Sequence, residues 1–198
     1  MLPATPTTER PASPAKARLL EVADDLFYRE GIHTVGIDRI IAAAGVTKAT
    51  FYKQFGSKDG LILDYIVART VDMQQRVTEL ASDGRSADDV LRTIVTGIVD
   101  ETSRTGFRGS AFIHAAAEFP DSAHPVRVVI FEHREWFQEF LTDQLKRLGH
   151  RRAGDGADEL LLLMDGVMTG AYAGDSIAAY TGFLRAVERV LAEATPRA

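Results

Sequence analysis

Apolar residues recur at helical spacing along almost the whole of this 198-residue chain. In the first segment, the positions i, i+3, i+4, i+7 and i+8 that share one helix face are filled by Leu19, Val22, Ala23, Leu26 and Phe27. No run alternates apolar and polar residues as a half-buried strand would. The pattern therefore predicts an all-α fold of about nine helices and no sheet.

Glycines divide the N-terminal part of the chain into short helices. Gly31 follows a helix that begins near Pro14, and Gly45 follows a short apolar stripe. Glycine readily adopts the left-handed conformation in which many helices end. A third helix is expected from Thr47, an N-cap residue, to Phe55. Two short helices joined by a tight turn form a helix-turn-helix, whose second helix can enter the major groove of DNA.

The third helix has one apolar and one polar side. Phe51 and Phe55 lie one turn apart and are expected to pack inward. The side chains that remain outward are those of Lys48, Ala49, Thr50, Tyr52, Lys53 and Gln54. Hydrogen-bond donors and small groups of this kind suit phosphates and base edges. Two alternatives stay open: Tyr52 could pack against the fourth helix, and Ala49 and Thr50 could be plain surface.

The net charge of −5 is unevenly distributed. Residues 1–60 contain eight Lys/Arg and seven Asp/Glu, whereas the remainder has a net charge of −6. From Gly45 to Lys58 there are three lysines and no acid, and local charge matters more than total charge for docking on phosphates. Lys58 lies in the first turn of the expected fourth helix, where the helix dipole disfavours a cation unless an anion docks there. The adjacent Asp59 weakens this interpretation, and Lys58 could be an ordinary surface lysine.

The stretch GIDRIIAAAGVTKATFYKQFGSKDGLI resembles the tetracycline-repressor (TetR) family of bacterial one-component regulators. The resemblance is carried by the spaced elements Ala44-Gly45-Val46, Thr47-Lys48, Phe51-Tyr52, Phe55 and Ser57-Lys58. It implies an N-terminal three-helix, homeodomain-like helix-turn-helix domain and a C-terminal helical domain for ligand binding and dimerisation. The implied function is ligand-responsive, sequence-specific DNA-binding regulation of transcription, usually as a repressor, with no enzymatic activity and no cofactor.

The same resemblance implies roles for individual residues. Those that would face base edges or nearby backbone are Thr47, Lys48, Ala49 and Thr50, and those that would hold phosphates are Tyr52, Lys53 and Lys58. Gly36 stands where the family usually has threonine, at the start of the second helix. A hydroxyl contact with a phosphate is therefore in doubt at Gly36, and Thr34 could supply it instead.

Loop-forming segments predict the domain boundaries. Residues 1–14, which include four prolines, are expected to form a disordered tail. The parts that follow are a helix-turn-helix domain at 15–60, a connecting long helix at 61–80, and a ligand-binding and dimerisation domain at 86–198. Within the last part, residues 151–156 are predicted to be a loop, followed by helices at about 157–173 and 175–194.

The last two helices are predicted to form a homodimer interface. Residues 160–164 are apolar around more than one helix face, and Gly166, Gly170 and Gly174 recur every four residues, which lets another helix approach closely. The alternative is a helix buried inside one monomer. Two-fold pairing would present two recognition helices to a palindromic operator in double-stranded DNA.

A small-molecule effector is expected to bind between helices of the C-terminal domain. The candidate ligand-binding residues are Phe107, Phe112, His133, Trp136, Phe137, Met168 and Tyr172, although most of these could be ordinary core. His133 lies on an apolar helix face, where a histidine is more often a satisfied core residue than a ligand contact. His114 and Glu118 have a spacing that could bind a metal, but no third ligand accompanies them, so no metal site is predicted.

Other classes of protein explain less of the sequence. The absence of cysteine excludes disulfides and thiol catalysis, and no apolar run approaches the length of about 18 residues that a membrane span needs. Both observations fit a reducing cytoplasm, and together with the resemblance they lead us to expect a cytoplasmic, nucleoid-associated protein. No nucleophile with its base, phosphate loop or facing carboxylate pair favours an enzyme. A helical adaptor that binds only protein would leave the lysines around the turn unexplained.

Overall fold

The computed structural model describes residues 13–194, and these fold into nine helices. In chain order they are α1 (Pro14–Glu30), α2 (Ile37–Ala44), α3 (Lys48–Phe55), α4 (Lys58–Ser82), α5 (Ala87–Thr102), α6 (Ala111–Glu118), α7 (Pro125–Leu148), α8 (Ala153–Ala173) and α9 (Ser176–Ala192). The only β-type pairing in this range is an isolated bridge between His150 and Ala194. The predicted all-α fold is confirmed.

The chain divides into two compact units, and the division falls between Tyr65 and Ile66, inside α4. The first unit contains α1, α2, α3 and the beginning of α4, and the second contains the rest of α4 and α5–α9. Helix α4 therefore contributes residues to both units. Residues 1–12 of the predicted tail lie outside the described residues, whereas Ser13 caps α1 and Pro14 is its first residue.

The first unit is built around a small apolar core. Its fully or almost fully buried side chains are Leu19, Ala23, Phe27, Ile32, Val35, Ile40, Phe51, Leu61, Ile62 and Tyr65. The rings of Phe27 on α1 and Tyr65 on α4 meet edge to face, with centroids 5.5 Å apart. Every helix of the unit thus contributes to one core, as the apolar stripes in the sequence require.

The turn between α2 and α3 depends on Gly45. This residue has φ 62° and ψ 37°, which is the left-handed conformation that glycine adopts without steric cost. Its N–H donates to the carbonyl of Ala42, and the N–H of Val46 donates to the carbonyl of Ile41. The turn ends α2 and satisfies its last carbonyls before α3 begins.

The second unit has a larger core, to which α4, α5, α7, α8 and α9 all contribute. Helix α8 packs against α7, α5 and α9, so it lies at the centre of the unit. Its most buried side chains include Ala157, Leu160 and Val167. None of the helices within residues 13–194 is both long and apolar enough to cross a membrane.

The loop predicted at residues 151–156 is wrong from residue 153 onward, because α8 begins at Ala153. Two glycines there, Gly154 and Gly156, favour a loop by their low helix propensity. Tertiary packing overrides that preference: a Cβ on Gly156 would lie 3.0 Å from the His150 ring, so the first turn of α8 packs closely under this imidazole. His150 is itself held by the N–H of Arg152 at Nδ1 and by the carbonyl of Val190 at Nε2.

The start of α4 approaches the end of α3 very closely at Gly60. A Cβ at this position would lie 2.1 Å from the carbonyl oxygen of Phe55. The N–H of Gly60 is in turn bound by the Ser57 hydroxyl at 3.0 Å, which caps α4. Only glycine allows this contact, since the atom that a side chain would meet belongs to the backbone.

We expect Gly60→Ala to destabilise the protein by about 1–3 kcal/mol, the usual cost of overpacking. At this chain length, each kcal/mol lowers the melting temperature by roughly 2–4 °C. The measurement is thermal unfolding followed by circular dichroism. The matched control is Gly97→Ala in α5, where a Cβ meets no atom within 4 Å and alanine stabilises a helix interior by about 0.5–1 kcal/mol. Equal effects of the two substitutions would contradict this assignment.

Candidate functional sites

Helix α3 starts where the sequence predicts, because Thr47 caps it. The Thr47 hydroxyl oxygen accepts the N–H of Thr50 at 3.2 Å, which satisfies one of the free donors of the first turn. The hydroxyl oxygens of Thr47 and Thr50 are also 2.9 Å apart, within hydrogen-bonding distance. The two threonines at the beginning of the helix are therefore ordered by each other.

Phe51 sets the rotation of α3 about its own axis. Its side chain is 0% exposed, and its ring contacts that of Phe55 at a centroid distance of 5.7 Å. Phe55 is half-buried, and the Lys16 ammonium lies 5.6 Å from its ring centroid. Because Phe51 points into the core, the opposite side of α3 points to solvent.

The solvent side of α3 carries most of the residues that the sequence predicts to contact DNA. Lys48, Ala49, Tyr52 and Lys53 are exposed, and Thr50 is partly so. The Tyr52 side chain is 45% exposed. Its ring makes an edge-to-face contact with the Phe51 ring, with centroids 5.3 Å apart. The structure thus brings these residues together on one exposed helix face.

Lys48 is joined to the preceding helix by Asp38, a residue that the sequence analysis did not select. Its ammonium lies 3.1 Å from the Asp38 carboxylate, and both side chains are well exposed. The hydrogen bond that Lys48 donates to Asp38, together with the negative charge of this carboxylate, raises the pKa of Lys48. The lysine therefore stays protonated and is oriented by α2, although a pair as exposed as this one is readily exchanged for another anion.

Lys58 is half-buried and donates to the backbone carbonyl of His33 at 3.3 Å. The carbonyl belongs to the segment between α1 and α2, so the side chain of this first-turn residue lies against that loop. Its position differs from that of a fully solvated surface lysine. The sequence does not reveal this contact. The acceptor is a backbone carbonyl, which every residue has, so the identity of residue 33 gives no indication of it.

Thr34 and Gly36 are both exposed near the start of α2. Gly36 is the N-cap of α2 but makes no side-chain cap bond, as expected for glycine. Its φ of −80° is accessible to any residue, and a Cβ there would meet no atom within 4 Å. The backbone therefore has room for the threonine that the resemblance leads one to expect.

The candidate ligand-binding residues fall into two groups within the second unit. The first is a ladder of stacked rings, which we call the aromatic ladder: Phe112 on α6 and His133, Trp136, Phe137 and Phe140 on α7. Adjacent rings in it are inclined by only 3° to 26°. Phe140 belongs to this group although the sequence analysis did not select it.

The second group surrounds Tyr172 near the end of α8. The ring of His114 lies 6.1 Å from the Tyr172 ring, and the Arg108 guanidinium carbon lies 5.9 Å from the same ring. Burial and the charge of Arg108 lower the pKa of His114, while Glu118 opposes this shift. Met168 lies near this group as well, since a Cβ on Gly109 would be 3.6 Å from the carbonyl oxygen of Met168. Phe107 is half-buried between α5 and α6.

His133 differs from the other buried histidine, His150, in its hydrogen bonding. It is 6% exposed, and its Nδ1 has no hydrogen-bond partner within the described part of the chain. Burial lowers the pKa of His133, and no charged group contributes to the shift. The imidazole is therefore neutral at pH 7, and its buried Nδ1 is unused.

Helices α8 and α9 leave apolar side chains exposed. Leu162 on α8 and Ile177 on α9 are 68% and 69% exposed, and Leu184 is also exposed. The glycines of the predicted stripe differ in their surroundings. A Cβ on Gly170 would lie 3.4 Å from the Ala179 methyl of α9, so α8 and α9 approach closely there, whereas a Cβ on Gly166 would meet nothing within 4 Å. As for metals, residues 13–194 contain no group of three or more His, Asp or Glu side chains that could hold an ion.

Comparison with known proteins places these features in a family. Residues 19–65 match the family model described as bacterial regulatory proteins of the tetR family. The crystal structure of a TetR-family transcriptional regulator from Streptomyces coelicolor superimposes with a TM-score of 0.85 at 41% identity, covering 90% of this chain and 95% of that one. Regulatory protein TetR from Rhodobacter sphaeroides shares the fold, with a TM-score of 0.79 at 21% identity over 90% of this chain and 99% of that one.

A relative from Mycobacterium tuberculosis, known as an uncharacterized HTH-type transcriptional regulator, is 25% identical over 163 residues. The match covers 82% of this chain and 78% of the relative. The similarity therefore extends through both units and is not confined to the helix-turn-helix.

Proposed function

The chain belongs to the TetR family of DNA-binding transcriptional regulators, and from that premise we propose that it is a repressor that a small molecule releases from a palindromic operator. The observation that carries the proposal is the exposed face of α3, which Phe51 holds outward and which carries Lys48, Tyr52 and Lys53. A helix with such a face fits the major groove and can contact both base edges and phosphates.

Within this interface we assign the base edges to the beginning of α3. Thr47, Lys48, Ala49 and Thr50 occupy its first turn and N-cap, the part of a recognition helix that reaches deepest into the groove. When the protein binds DNA, Lys48 leaves Asp38 and contacts the DNA instead, because both side chains of this ion pair are exposed. The electronegative base edges and phosphates then replace the carboxylate as its partner.

We assign phosphate contacts to Tyr52, Lys53 and Lys58, with Thr34 and Gly36 flanking them. Tyr52 and Lys53 are exposed at the second turn of α3. Lys58 lies at the start of α4, where the helix dipole favours an anion and N–H groups of the first turn are available to it. These contacts supply affinity without sequence information, whereas the first turn of α3 supplies specificity.

The homodimer is proposed to form through α8 and α9. Leu162 and Ile177 are the two most exposed large apolar residues of this part of the chain, and Gly166 lies one turn after Leu162 with open space around it. A second copy that packs on this face would cover these side chains and could approach closely at Gly166. Two-fold symmetry would then present two copies of α3 to the two halves of an operator.

Release by an effector is proposed to proceed by a shift in population between two states of the dimer. Helix α4 contributes residues to both units, so it is the covalent route by which a ligand in the second unit could change the separation of the two recognition helices. The ligand shifts the balance only by its difference in affinity for the two states. Operator DNA must weaken effector binding by the same factor as the effector weakens operator binding.

We expect Lys53→Ala to weaken binding to operator and to unrelated DNA by the same factor, because a phosphate contact is not specific. For a dimer, which loses one such contact in each copy, the slope of log affinity against log salt should fall by about two. Fluorescence anisotropy over a series of salt concentrations measures both quantities. Lys146→Ala, at an exposed lysine near the end of α7, is the matched control and should change neither.

We expect the double substitution Leu162→Glu with Ile177→Glu to convert the dimer into a monomer. Burying unpaired carboxylates at the contact should weaken dimerisation by more than about a hundredfold. Sedimentation velocity measures the assembly state, and circular dichroism checks that the helices remain. The control is Phe131→Glu on α7, an apolar position outside the last two helices that is 60% exposed. A double variant that stays dimeric would place the interface elsewhere.

We expect the protein to lower transcription from a promoter that overlaps its operator, because a bound dimer excludes polymerase. A reporter gene behind such a promoter measures this, with Tyr52→Ala combined with Lys53→Ala as the variant that should restore expression. The sign of the response decides the mode of regulation. If the wild-type protein raises reporter expression and the variant abolishes the increase, the protein is an activator.

A further inference from the structure

The aromatic ladder has a geometry that suits another flat ring. Phe112 stacks on the His133 imidazole with centroids 4.4 Å apart and planes inclined by 26°, and the Trp136 ring follows at 6.0 Å and 20°. These values lie in the range of offset stacking. Phe112 and Trp136 are half-buried, so part of their ring surface is accessible. A planar molecule can therefore extend the series of near-parallel rings.

The ladder also contains one polar group that the protein leaves unsatisfied. Nδ1 of His133 is buried and has no hydrogen-bond partner within residues 13–194. The other buried histidine shows what a purely structural histidine does here, because both nitrogens of His150 are bonded. Buried polar atoms are normally paired, so the single unpaired nitrogen in an aromatic environment marks a position for a ligand atom.

The surroundings of His133 exclude a charged ligand group at this point. Rings from Phe112, Trp136 and Phe137 make its aromatic contacts, and burial keeps the imidazole neutral at pH 7. The nearest charges along α7 are exposed, and the Arg134 guanidinium is engaged by Asp165 of α8. A carboxylate or ammonium placed beside His133 would lose its hydration without gaining an opposite charge.

We propose that the effector is an uncharged planar aromatic molecule with a hydroxyl group, which stacks on the aromatic ladder and forms a hydrogen bond to Nδ1 of His133. A hydroxyl fits because it both donates and accepts, and so pairs with Nδ1 in either tautomer of the neutral ring. This inference rests on the proposed function, since it names the chemistry of the ligand that the repressor senses.

Three probes of the same ring system test the proposal: 2-naphthol, naphthalene and 2-naphthoate. Isothermal titration calorimetry on the full-length protein should give 2-naphthol an affinity about tenfold or more above that of naphthalene, which lacks the hydroxyl. Naphthoate should bind more weakly than naphthol because of its charge. Failure of all three to bind, equal affinities, or tightest binding of naphthoate would overturn the proposal.

Two variants locate the hydroxyl. His133→Phe keeps a flat apolar ring and removes both nitrogens, so the advantage of naphthol over naphthalene should disappear while the affinity for naphthalene is retained. His114→Phe, in the Tyr172 group, is the matched control and should preserve that advantage. If the advantage survives in His133→Phe, or is lost only in His114→Phe, the assignment to His133 is wrong.

A spectroscopic signature makes the test independent of whether the variants fold. With 15N-labelled histidine in the wild-type protein, binding of naphthol should shift the Nδ1 resonance of His133, and naphthalene should not. An unchanged resonance at saturation would overturn the proposal. Operator binding is measured in parallel: selective naphthol binding without release of DNA would leave this site standing and refute the effector role instead.

Discussion

The burial of Phe51 is the interaction on which the DNA-binding unit depends. A helix of eight residues is too short to be stable alone, so α3 exists because the core of the first unit holds it. The ring of Phe51, which is fully buried, also determines which side of the helix is left for other molecules. Replacing the buried phenylalanine would therefore remove the helix and its orientation together.

The glycines and threonines near this helix work together with Phe51. Gly45 allows the chain to leave α2 through a left-handed residue, Thr47 then caps α3, and Gly60 lets α4 begin directly beneath the end of α3. Gly45 and Gly60 act by allowing backbone geometry that a side chain would prevent, and Thr47 acts through its hydroxyl, which accepts a backbone N–H. Their combined effect is to hold two short helices and the start of a long one at fixed positions around the small core of the first unit.

Much of this arrangement is predictable from sequence because its signals are local. The N-cap at Thr47, the stop at Gly45 and the inward direction of Phe51 each depend on residues within one or two turns. The features that sequence did not reveal depend on contacts between distant residues: Asp38 with Lys48, the His33 carbonyl with Lys58, and Gly156 beneath His150. Propensity alone makes residues 151–156 a loop, whereas the structure begins α8 at Ala153 and packs Gly156 closely against His150.

The second unit shows the same limit for the candidate ligand-binding residues. Composition identifies where aromatic residues are concentrated, but it does not separate Phe112, His133 and Trp136 from Tyr172, because these residues come from three different helices. The structure separates them into the aromatic ladder and a polar group around Tyr172. Neither the ladder's near-parallel planes nor the unpaired nitrogen within it has a signature in the sequence.

The methyl group of Ala49 has a consequence for how such a regulator can change. Its neighbours Thr47 and Thr50 are tied to the start of α3 by their hydroxyl groups, and Lys48 is tied to Asp38. Ala49 is exposed and has neither a capping role nor a place in the core. In the proposed interface, a substitution at Ala49 would therefore alter operator preference while the capping hydrogen bonds and the core stay intact, which offers a short mutational path by which duplicated copies diverge.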